Sequence, residues 1–333
     1  MPRSRFAAST SCSRRRETLY ALLIALVAAT GFAMAFQSPT NTELSKVVGN
    51  AEATLVSFAG GTLVLGVLVL LVHQGNLALL AQTPPWQWLG GLYGVFIVLV
   101  ITYAVPALGV ALTLTAIMFG EIAMGMVIDT FGWFASAAIP FSLPRVAGCA
   151  VIAGGIALVY HGQVRTHRAG GQVSENSADS TSRFGGRAFA MLALSLLAGV
   201  GGACQAPTNA TLGVTVGTLE ASFVSFAGGT ILVGVYTLIV NRGRLHSVRP
   251  SAPWTWLGGL YGAAGVFVIA LATPTIGVGI AVTCVTLGQL AGGLVIDAFG
   301  LMRCEKIHLD RWRIIGMLAI AAGILLATMT KLA

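Results

Sequence analysis

The sequence repeats itself without a gap at an offset of 168 residues, and this internal repeat restricts the possible folds more than any other feature. The segment QSPTN at 37–41 matches QAPTN at 205–209, and VSFAGGT at 56–62 recurs unchanged at 224–230. Over residues 37–62 and their counterparts, 16 of 26 positions are identical, which a shared bias toward apolar residues cannot produce. A fixed internal period indicates repeated structural units, so the chain is predicted to contain two copies of one unit.

Both copies consist mainly of apolar runs of 17 or more residues, each long enough to cross about 30 Å of hydrocarbon as a helix. Only 9% of the residues are charged, against about a quarter in a typical soluble domain, and the mean hydropathy is +0.85. A water-soluble surface cannot be made from this composition. The runs do not alternate polar and apolar residues as barrel strands do, so they predict transmembrane helices.

Each copy contains five predicted spans, which in the first copy lie near residues 19–36, 52–72, 88–104, 107–127 and 146–161. After five crossings the second copy begins on the opposite face of the membrane, so two similar folds must be related by an axis in the membrane plane. The predicted fold class is an all-α integral membrane protein whose ten transmembrane helices form 5+5 inverted-topology repeats. Its predicted segments are a basic tail (1–18), the first five-helix repeat (19–162), a polar linker (163–186) and the second repeat (187–333).

The formal charge of +8 comes from basic residues in the N-terminal tail and the loops, where topology signals occur, so no nucleic-acid partner is predicted. The Arg-rich tail also has features of a cleaved signal or a transit peptide, but the repeat favours a retained first helix. The tail favours an inside N-terminus and the loops favour the reverse, so the orientation stays open. The five cysteines form no C-x-x-C pair, so neither disulfides, a metal site nor a cofactor is predicted.

An ordered series of short motifs runs through the two copies. It comprises Q-x-x-x-N at 37–41, S-F-x-x-G at 57–61, P-W-x-W-L-G-G at 85–91, I-D-x-F-G at 128–132 and G-Q at 288–289. This series resembles the YdcZ-type inner-membrane exporter family of the drug/metabolite transporter superfamily. Members are often single five-helix proteins thought to pair in opposite orientations, so the chain resembles two of them fused. The resemblance implies export or exchange of small molecules by alternating access, in the inner or plasma membrane.

Glu121 is the first candidate for a substrate-binding residue. It stands in the fourth helix of the first copy, where the second copy has Gln289, and the middles of the predicted helices contain no Asp, Lys or Arg. An ionisable residue at that depth is costly to bury and is a functional candidate. Our hypothesis is that Glu121 binds protons, a cationic substrate group, or each in turn as in an antiporter. The alternative is a neutral carboxyl that is hydrogen-bonded in a packed interface.

The near-absence of charge inside the predicted helices also restricts the substrate. A phosphorylated or dicarboxylate solute needs cationic partners in a dry site, and no Lys or Arg is predicted at depth. The sequence therefore favours a neutral, apolar or cationic solute over an anion.

Four further polar residues are candidates for substrate binding: Gln37, Asn41, Gln205 and Asn209. They lie beside Pro39 and Pro207, which are predicted to interrupt their helices, and loosened backbone at depth is tolerated only inside protein or around water. The alternative is that each proline ends a helix and that Asn or Thr caps the next one. Gln289 has two open roles, a substrate contact or an interhelical hydrogen bond.

Four acidic residues stand at predicted helix ends. Asp129 and Asp297 follow apolar helices and precede Phe-Gly, which predicts interfacial turns, with a gating role as the alternative. Glu52 and Glu220 open the second helix of each copy, where the helix dipole favours an acid, so a structural role is predicted for both.

The functions that remain are transport and, as the alternative, a non-transporting membrane scaffold or regulatory protein that would lack a polar cavity between the copies. An enzyme is not predicted, because Glu121 has no companion acid, base or metal ligand and no H-E-x-x-H or nucleophile-elbow motif is present. No nucleotide-binding G-x-x-x-x-G-K-[ST] motif is present either, so a gradient must drive active transport. The predicted partners are a small-molecule substrate, the lipid bilayer and, through Glu121, protons. The fused pair is predicted to act as a monomer, with a homodimer as the alternative.

Overall fold

The computed structural model describes residues 3–72, 75–108, 110–135, 142–169, 186–240, 252–276, 278–303, 306 and 310–329. The first copy contains α1 (Arg3–Ala35), α2 (Gln37–Val48), α3 (Asn50–Val72), α4 (Gly90–Leu108), α5 (Val110–Phe131) and α6 (Leu143–Ala169). The second contains α7 (Gly186–Val216), α8 (Thr218–Val240), α9 (Gly258–Ile276), α10 (Val278–Phe299) and α11 (Arg311–Met329). Short 3-10 helices precede α4 and α9, at Pro85–Leu89 and Pro253–Trp256. The described residues contain no strand.

Seven helical stretches of the described chain are long and apolar enough to cross a membrane: Thr18–Val48, Asn50–Val72, Pro85–Leu108, Leu112–Phe131, Gly186–Val216, Thr218–Ile239 and Pro253–Ala272. Three shorter apolar helices occupy Leu143–Val159, Thr283–Phe299 and Ile314–Leu326. Large apolar side chains cover the outer faces, and Leu71 and Ile239 are each 73% exposed. Exposed apolar surface of this kind mediates aggregation in water, so these faces are suited to lipid.

The helix boundaries differ from the predicted segments at two places. α1 begins at Arg3, so the helix extends into the predicted basic tail. α6 continues to Ala169, so residues 163–169 of the predicted linker are helical. The rest of that linker, apart from Gly186 at the start of α7, lies outside the described residues.

The two prolines predicted to interrupt helices differ in their surroundings. A one-residue turn at Phe36 separates α1 from α2, and Pro39 lies in the first turn of α2, where a missing N–H is tolerated. Phe36 provides no side-chain cap to α2. α7 continues through Pro207, so the interruption predicted there is wrong. The next residue, Thr208, donates its hydroxyl to the carbonyl of Cys204 at 2.7 Å, and such bonds help an apolar helix to tolerate proline.

The two short connections that precede α3 and α8 are built alike. Gly49 and Gly217 occupy equivalent positions there with φ of 102° and 106°, a region that favours glycine. A Cβ on them would lie 2.4 and 2.2 Å from carboxylate oxygens of Glu52 and Glu220 respectively. Both glutamates are buried in a first helical turn, and Glu220 accepts a hydrogen bond from the Gly75 amide at 2.8 Å. This placement favours the predicted structural role, because the helix N-terminus stabilises an acid.

Equivalent helices of the two copies cross each other in antiparallel orientation. At the centre of the α3–α8 crossing, the hydroxyls of Thr62 and Thr230, which are 168 positions apart, lie 2.8 Å from each other. Further along α3, Gly66 faces Phe223, which lies earlier in α8. Its counterpart Gly234 faces Leu55, the counterpart of Phe223. The relation is therefore a local two-fold axis perpendicular to the helices, because a contact between two residues recurs between their counterparts.

The helix pair α6 and α11 obeys the same two-fold relation. Gly155 lies against the carbonyl of Gly316, and Gly323 lies against the carbonyl of Gly148, with added Cβ atoms meeting those oxygens at 2.6 and 2.7 Å. The 168-residue offset relates the two contacts, because residues 155 and 148 correspond to residues 323 and 316. Small residues allow this close approach of two helices.

The first helix of each copy packs against the fourth helix of the other copy. Gly31 of α1 lies on the carbonyl of Val285 in α10, and its equivalent Gly199 of α7 lies on the carbonyl of Ile117 in α5. A Cβ atom added to Gly31 or Gly199 would lie 2.2 or 1.9 Å from the facing carbonyl oxygen. Neither glycine can therefore carry a side chain unless the backbone moves. The two copies are therefore interleaved, and the space between them is bounded by helices from both.

Candidate functional site

A cavity of about 150 Å³ lies between the two copies. All six residues predicted to bind substrate lie on its wall: Gln37, Asn41, Glu121, Gln205, Asn209 and Gln289. A single water needs about 10–15 Å³ on the same scale, so the cavity has room for a small solute. The structure thus brings together residues that are up to 252 positions apart in sequence, from 37 to 289.

Most of the cavity wall is apolar. Phe58 and Phe226, at equivalent positions of α3 and α8, contact each other with ring centroids 5.2 Å apart. The wall also contains Ile97, Val98, Ile101, Leu114, Ile117, Val266, Ile269 and Val285. Among the described wall residues Glu121 is the one titratable side chain, and none is Lys, Arg or His. An apolar wall with a few convergent polar groups is typical of a small-molecule site.

Asn209 forms a polar pocket with residues of α4 and α8. Its Oδ1 and the Oγ of Ser225 lie against Gly90, where an added Cβ would be 2.0 and 2.9 Å from them. Gln205 donates its Nε2 to the carbonyl of the same glycine at 3.0 Å. Both Asn209 and Ser225 are buried, and these two oxygens have no hydrogen-bond partner among the described residues. Since buried acceptors are normally paired, they are positioned to bind water or a solute.

An equivalent pocket surrounds Asn41. The Oδ1 of Asn41 and the Oγ of Ser57 lie against Gly258, where a Cβ would be 2.0 and 3.1 Å from them. These oxygens also have no described partner, and both residues are about 2% exposed. Neither Ser57 nor its equivalent Ser225 was predicted as a site residue. The available signal was their position in the identical VSFAGGT segments.

Glu121 of α5 lies against two glycines of α7, with its side chain at Gly202 and its backbone at Gly199. A Cβ on Gly202 would lie 2.3 Å from its Oε1, and a Cβ on Gly199 would lie 2.8 Å from its backbone nitrogen. The carboxyl group therefore occupies space that exists because α7 has no side chain there. Within the described part of the chain it has no hydrogen bond or ion pair. It remains free to bind a proton or a cation from the cavity.

Gln289 occupies the equivalent position on α10, but its surroundings differ. Its Nε2 lies 3.9 Å from the sulfur of Met34 in α1, which is a weak interhelical contact. Met34 and Gln289 both line the cavity. The two alternatives predicted for Gln289, an interhelical contact and a position facing solute, are thus both compatible with its location.

Asp129 and Asp297 do not lie in turns, so that prediction is wrong. Each lies in the last turn of its helix, α5 or α10, and is less than 10% exposed. The Nη2 of Arg145 forms an ion pair with the Oδ2 of Asp129, which offsets the cost of burying the carboxylate. The turn after α5 instead uses Gly132 and Phe134, both with positive φ. Neither aspartate lines the cavity, so a gating role stays a prediction.

The described residues offer no obvious metal centre. Among them, no group of three or more His, Cys, Asp or Glu side chains is arranged to hold a metal ion. The chemistry available in the cavity is therefore that of one carboxyl group, several amides and hydroxyls, and an apolar wall.

Comparisons with known proteins agree with the repeated motifs. The family model "Putative inner membrane exporter, YdcZ" matches the chain twice, over residues 22–158 and 190–326, which confirms the resemblance to two fused units. A solved structure described as "Crystal structure of protein" is similar over 91% of this chain and 97% of its own, with a TM-score of 0.59 and 15% identity. That likeness concerns the fold alone. A search of curated proteins gives no significant match.

Proposed function

The chain belongs to the YdcZ family of inner membrane exporters, and we propose that it carries a small neutral, apolar or cationic solute by alternating access. It is a multi-pass integral protein of the inner membrane, in a family of transporters that is not an enzyme class. The convergence of six polar residues on one cavity between the two copies is the observation that supports the proposal most directly. A scaffold would have no need of such a cavity.

The proposed architecture has ten crossings, with the repeats 19–162 and 187–333 in opposite orientations. Support comes from the antiparallel crossing of α3 with α8, whose local two-fold axis is perpendicular to the helices. If these helices cross the bilayer, that axis lies in the membrane plane, as in inverted-repeat transporters. Because the proposed arrangement places both orientations in one chain, a monomer would suffice for the cavity, and the homodimer is the alternative.

Equivalent helix ends are expected to reach opposite faces of the membrane. Phe131 and Phe299 end α5 and α10 at equivalent positions and are 67% and 71% exposed. In a cysteine-free background, Phe131→Cys and Phe299→Cys should react with an impermeant maleimide from opposite sides of sealed vesicles. Labelling of both from the same side would contradict the inverted arrangement.

The two-fold relation also supports rocking of one copy against the other. Inverted-repeat transporters expose a central site to each face in turn by such a movement. In this chain the cavity is bounded by both copies, so a change in their relative angle would open it to one side and close it to the other. The solute gradient or a proton gradient supplies the driving force.

The substrate class follows from the charges on the wall. A desolvated anion would need Lys or Arg, and the described wall residues include neither. A monocation can pair with Glu121, and a neutral solute can use the unpaired oxygens of Asn41 and Asn209. Glu121 can also take up the proton in the absence of a cation, so it is the proposed coupling residue.

Proteoliposomes test the transport proposal directly. Purified protein is reconstituted and challenged with matched amines, quaternary ammonium ions, neutral metabolites and carboxylates, with and without a proton gradient. Saturable flux of cationic or neutral solutes above that in empty liposomes, with none of carboxylates, is the expected result. If no solute in any class moves, the scaffold alternative replaces transport.

A further inference from the structure

The cavity is not symmetric, because the residues that face Glu121 and Gln289 differ as well. Gly202 of α7 faces Glu121, and the equivalent residue of α1, 168 positions earlier, is Met34. Met34 in turn faces Gln289. The acid is thus opposed by a glycine, and the amide by one of the longest apolar side chains.

A third pair of equivalent positions extends this difference. A Cβ on Gly265 of α9 would lie 2.3 Å from the sulfur of Met34, so the methionine uses the space that this glycine leaves. The equivalent residue of α4 is Ile97, which lines the cavity. One end of the cavity therefore has Glu121, Gly202 and Ile97, whereas the other has Gln289, Met34 and Gly265.

The carboxyl group of Glu121 occupies the space that the missing side chain of Gly202 leaves, and both residues line the cavity. The carboxyl oxygen would be 2.3 Å from a Cβ at position 202, so any side chain there would displace it or cover it. At the opposite end Met34 stands in place of the glycine and contacts Gln289, and the amide of Gln289 has no charge to offer a cation. These are independent obstacles to binding a cation at the second end.

We infer that the cavity has one solute site, placed away from the two-fold axis at Glu121 and Gly202, and that Met34 fills the equivalent second site. This inference rests on the proposed function and names its ligand class. The ligand is an organic monocation whose ammonium group meets the Glu121 carboxylate beside Gly202. Its apolar part lies along the aromatic and aliphatic wall that includes Phe58 and Ile97.

Two variants each change one end of the cavity. Gly202→Met places a methionine side chain in front of Glu121, as Met34 stands in front of Gln289. This variant should weaken cation binding about tenfold or more, because a charged hydrogen bond is lost. The double variant Met34→Gly, Gln289→Glu places an acid opposite a glycine at the second end, as at the first. It should bind two cations per chain where the wild type binds one.

The test is equilibrium binding of a series of alkylammonium and benzylammonium ions to the purified full-length chain. Gly125→Ala is the control for glycine replacement, since a Cβ there meets nothing within 4 Å. Gly202→Ala is the milder variant if Gly202→Met does not fold, and it should also weaken binding, because its Cβ displaces the carboxylate. Thermal unfolding checks that each variant is folded.

Three outcomes overturn the inference: no ion of the series binds to the wild type, two ions bind to the wild type, or binding survives the replacement of Gly202 unchanged. An unaltered stoichiometry of one in the folded double variant also contradicts it. Failure here is distinguishable from failure of the proposed function. If the chain transports neutral solutes but binds no cation, the proposed transport function stands and the cation site is refuted. If the chain binds one cation but no solute crosses the membrane, the cation site stands and the transport function is refuted.

Discussion

Replacement of Glu121 by glutamine is expected to abolish substrate-driven proton release from proteoliposomes and to weaken the binding of a monocation about 10- to 150-fold. The amide cannot ionise, and a charged hydrogen bond contributes about 1.5–3 kcal/mol, which corresponds to that range of affinity. Glutamine also matches the residue at the equivalent position, Gln289, so the variant restores the symmetry of the repeat. The measurements are proton flux with a pH-sensitive dye inside the vesicles and equilibrium binding in detergent.

Glu43→Gln is the matched control for this experiment. Glu43 pairs with Lys46 on α2 and is not among the described residues of the cavity wall, so its loss should leave proton release and binding unchanged. If Glu121→Gln is folded and both activities remain at the wild-type level, Glu121 has a structural role and the coupling proposal fails. Equal losses in both variants would show a general effect of removing negative charge.

Replacement of Arg145 by methionine is expected to destabilise the protein by about 3–5 kcal/mol, because it removes the guanidinium that pairs with the buried carboxylate of Asp129. The side chains of Arg145 and Asp129 are 6% and 12% exposed, so solvent compensates little for the lost pair. The double variant Asp129→Asn, Arg145→Met should recover most of this loss, since replacing both members of a buried pair is often close to neutral. Chemical unfolding in detergent measures Arg145→Met, Asp129→Asn and the double variant in a double-mutant cycle.

The same double variant separates the two roles considered for Asp129. If the ion pair between α5 and α6 is structural, the folded double variant should transport at the wild-type rate. Loss of transport in a double variant with restored stability would instead support gating at this end of the molecule. Additive effects of the two single replacements on the free energy of unfolding would show that the pair does not interact in the folded protein.

Several residues illustrate why sequence reasoning reached part of the site. Glu121 could be identified from the amino-acid sequence alone. Burying an acid in an apolar helix costs free energy, so an acid at that position indicates a functional role. The amides Gln37, Asn41, Gln205 and Asn209 were found because they recur in both copies. Ser57 and Ser225 recur as well, but a small hydroxyl residue in an apolar helix often has no role beyond packing, so the repeat by itself did not single them out.

The errors also have identifiable causes. Proline reduces helix stability through a missing N–H and a steric clash, which predicted a break at Pro207, yet hydroxyl groups in the same turns and packing between helices allow α7 to continue. Asp129 was expected in a turn because a carboxylate gains nothing from a helix C-terminus. Arg145, which lies 16 residues away, supplies the compensation, and no local pattern reveals that pairing.

The amino-acid sequence by itself determined the membrane environment, the helical class, the two-copy organisation and the short set of polar residues at depth. These properties depend on composition, period and the cost of polar groups in hydrocarbon, all of which are local or additive along the chain. Only the tertiary structure decided which residues face each other across the copies: Gly202 before Glu121, Met34 before Gln289, and glycines against the amides. Those contacts join helices that are distant in sequence, and their geometry depends on how closely the helix backbones approach, which no single segment encodes.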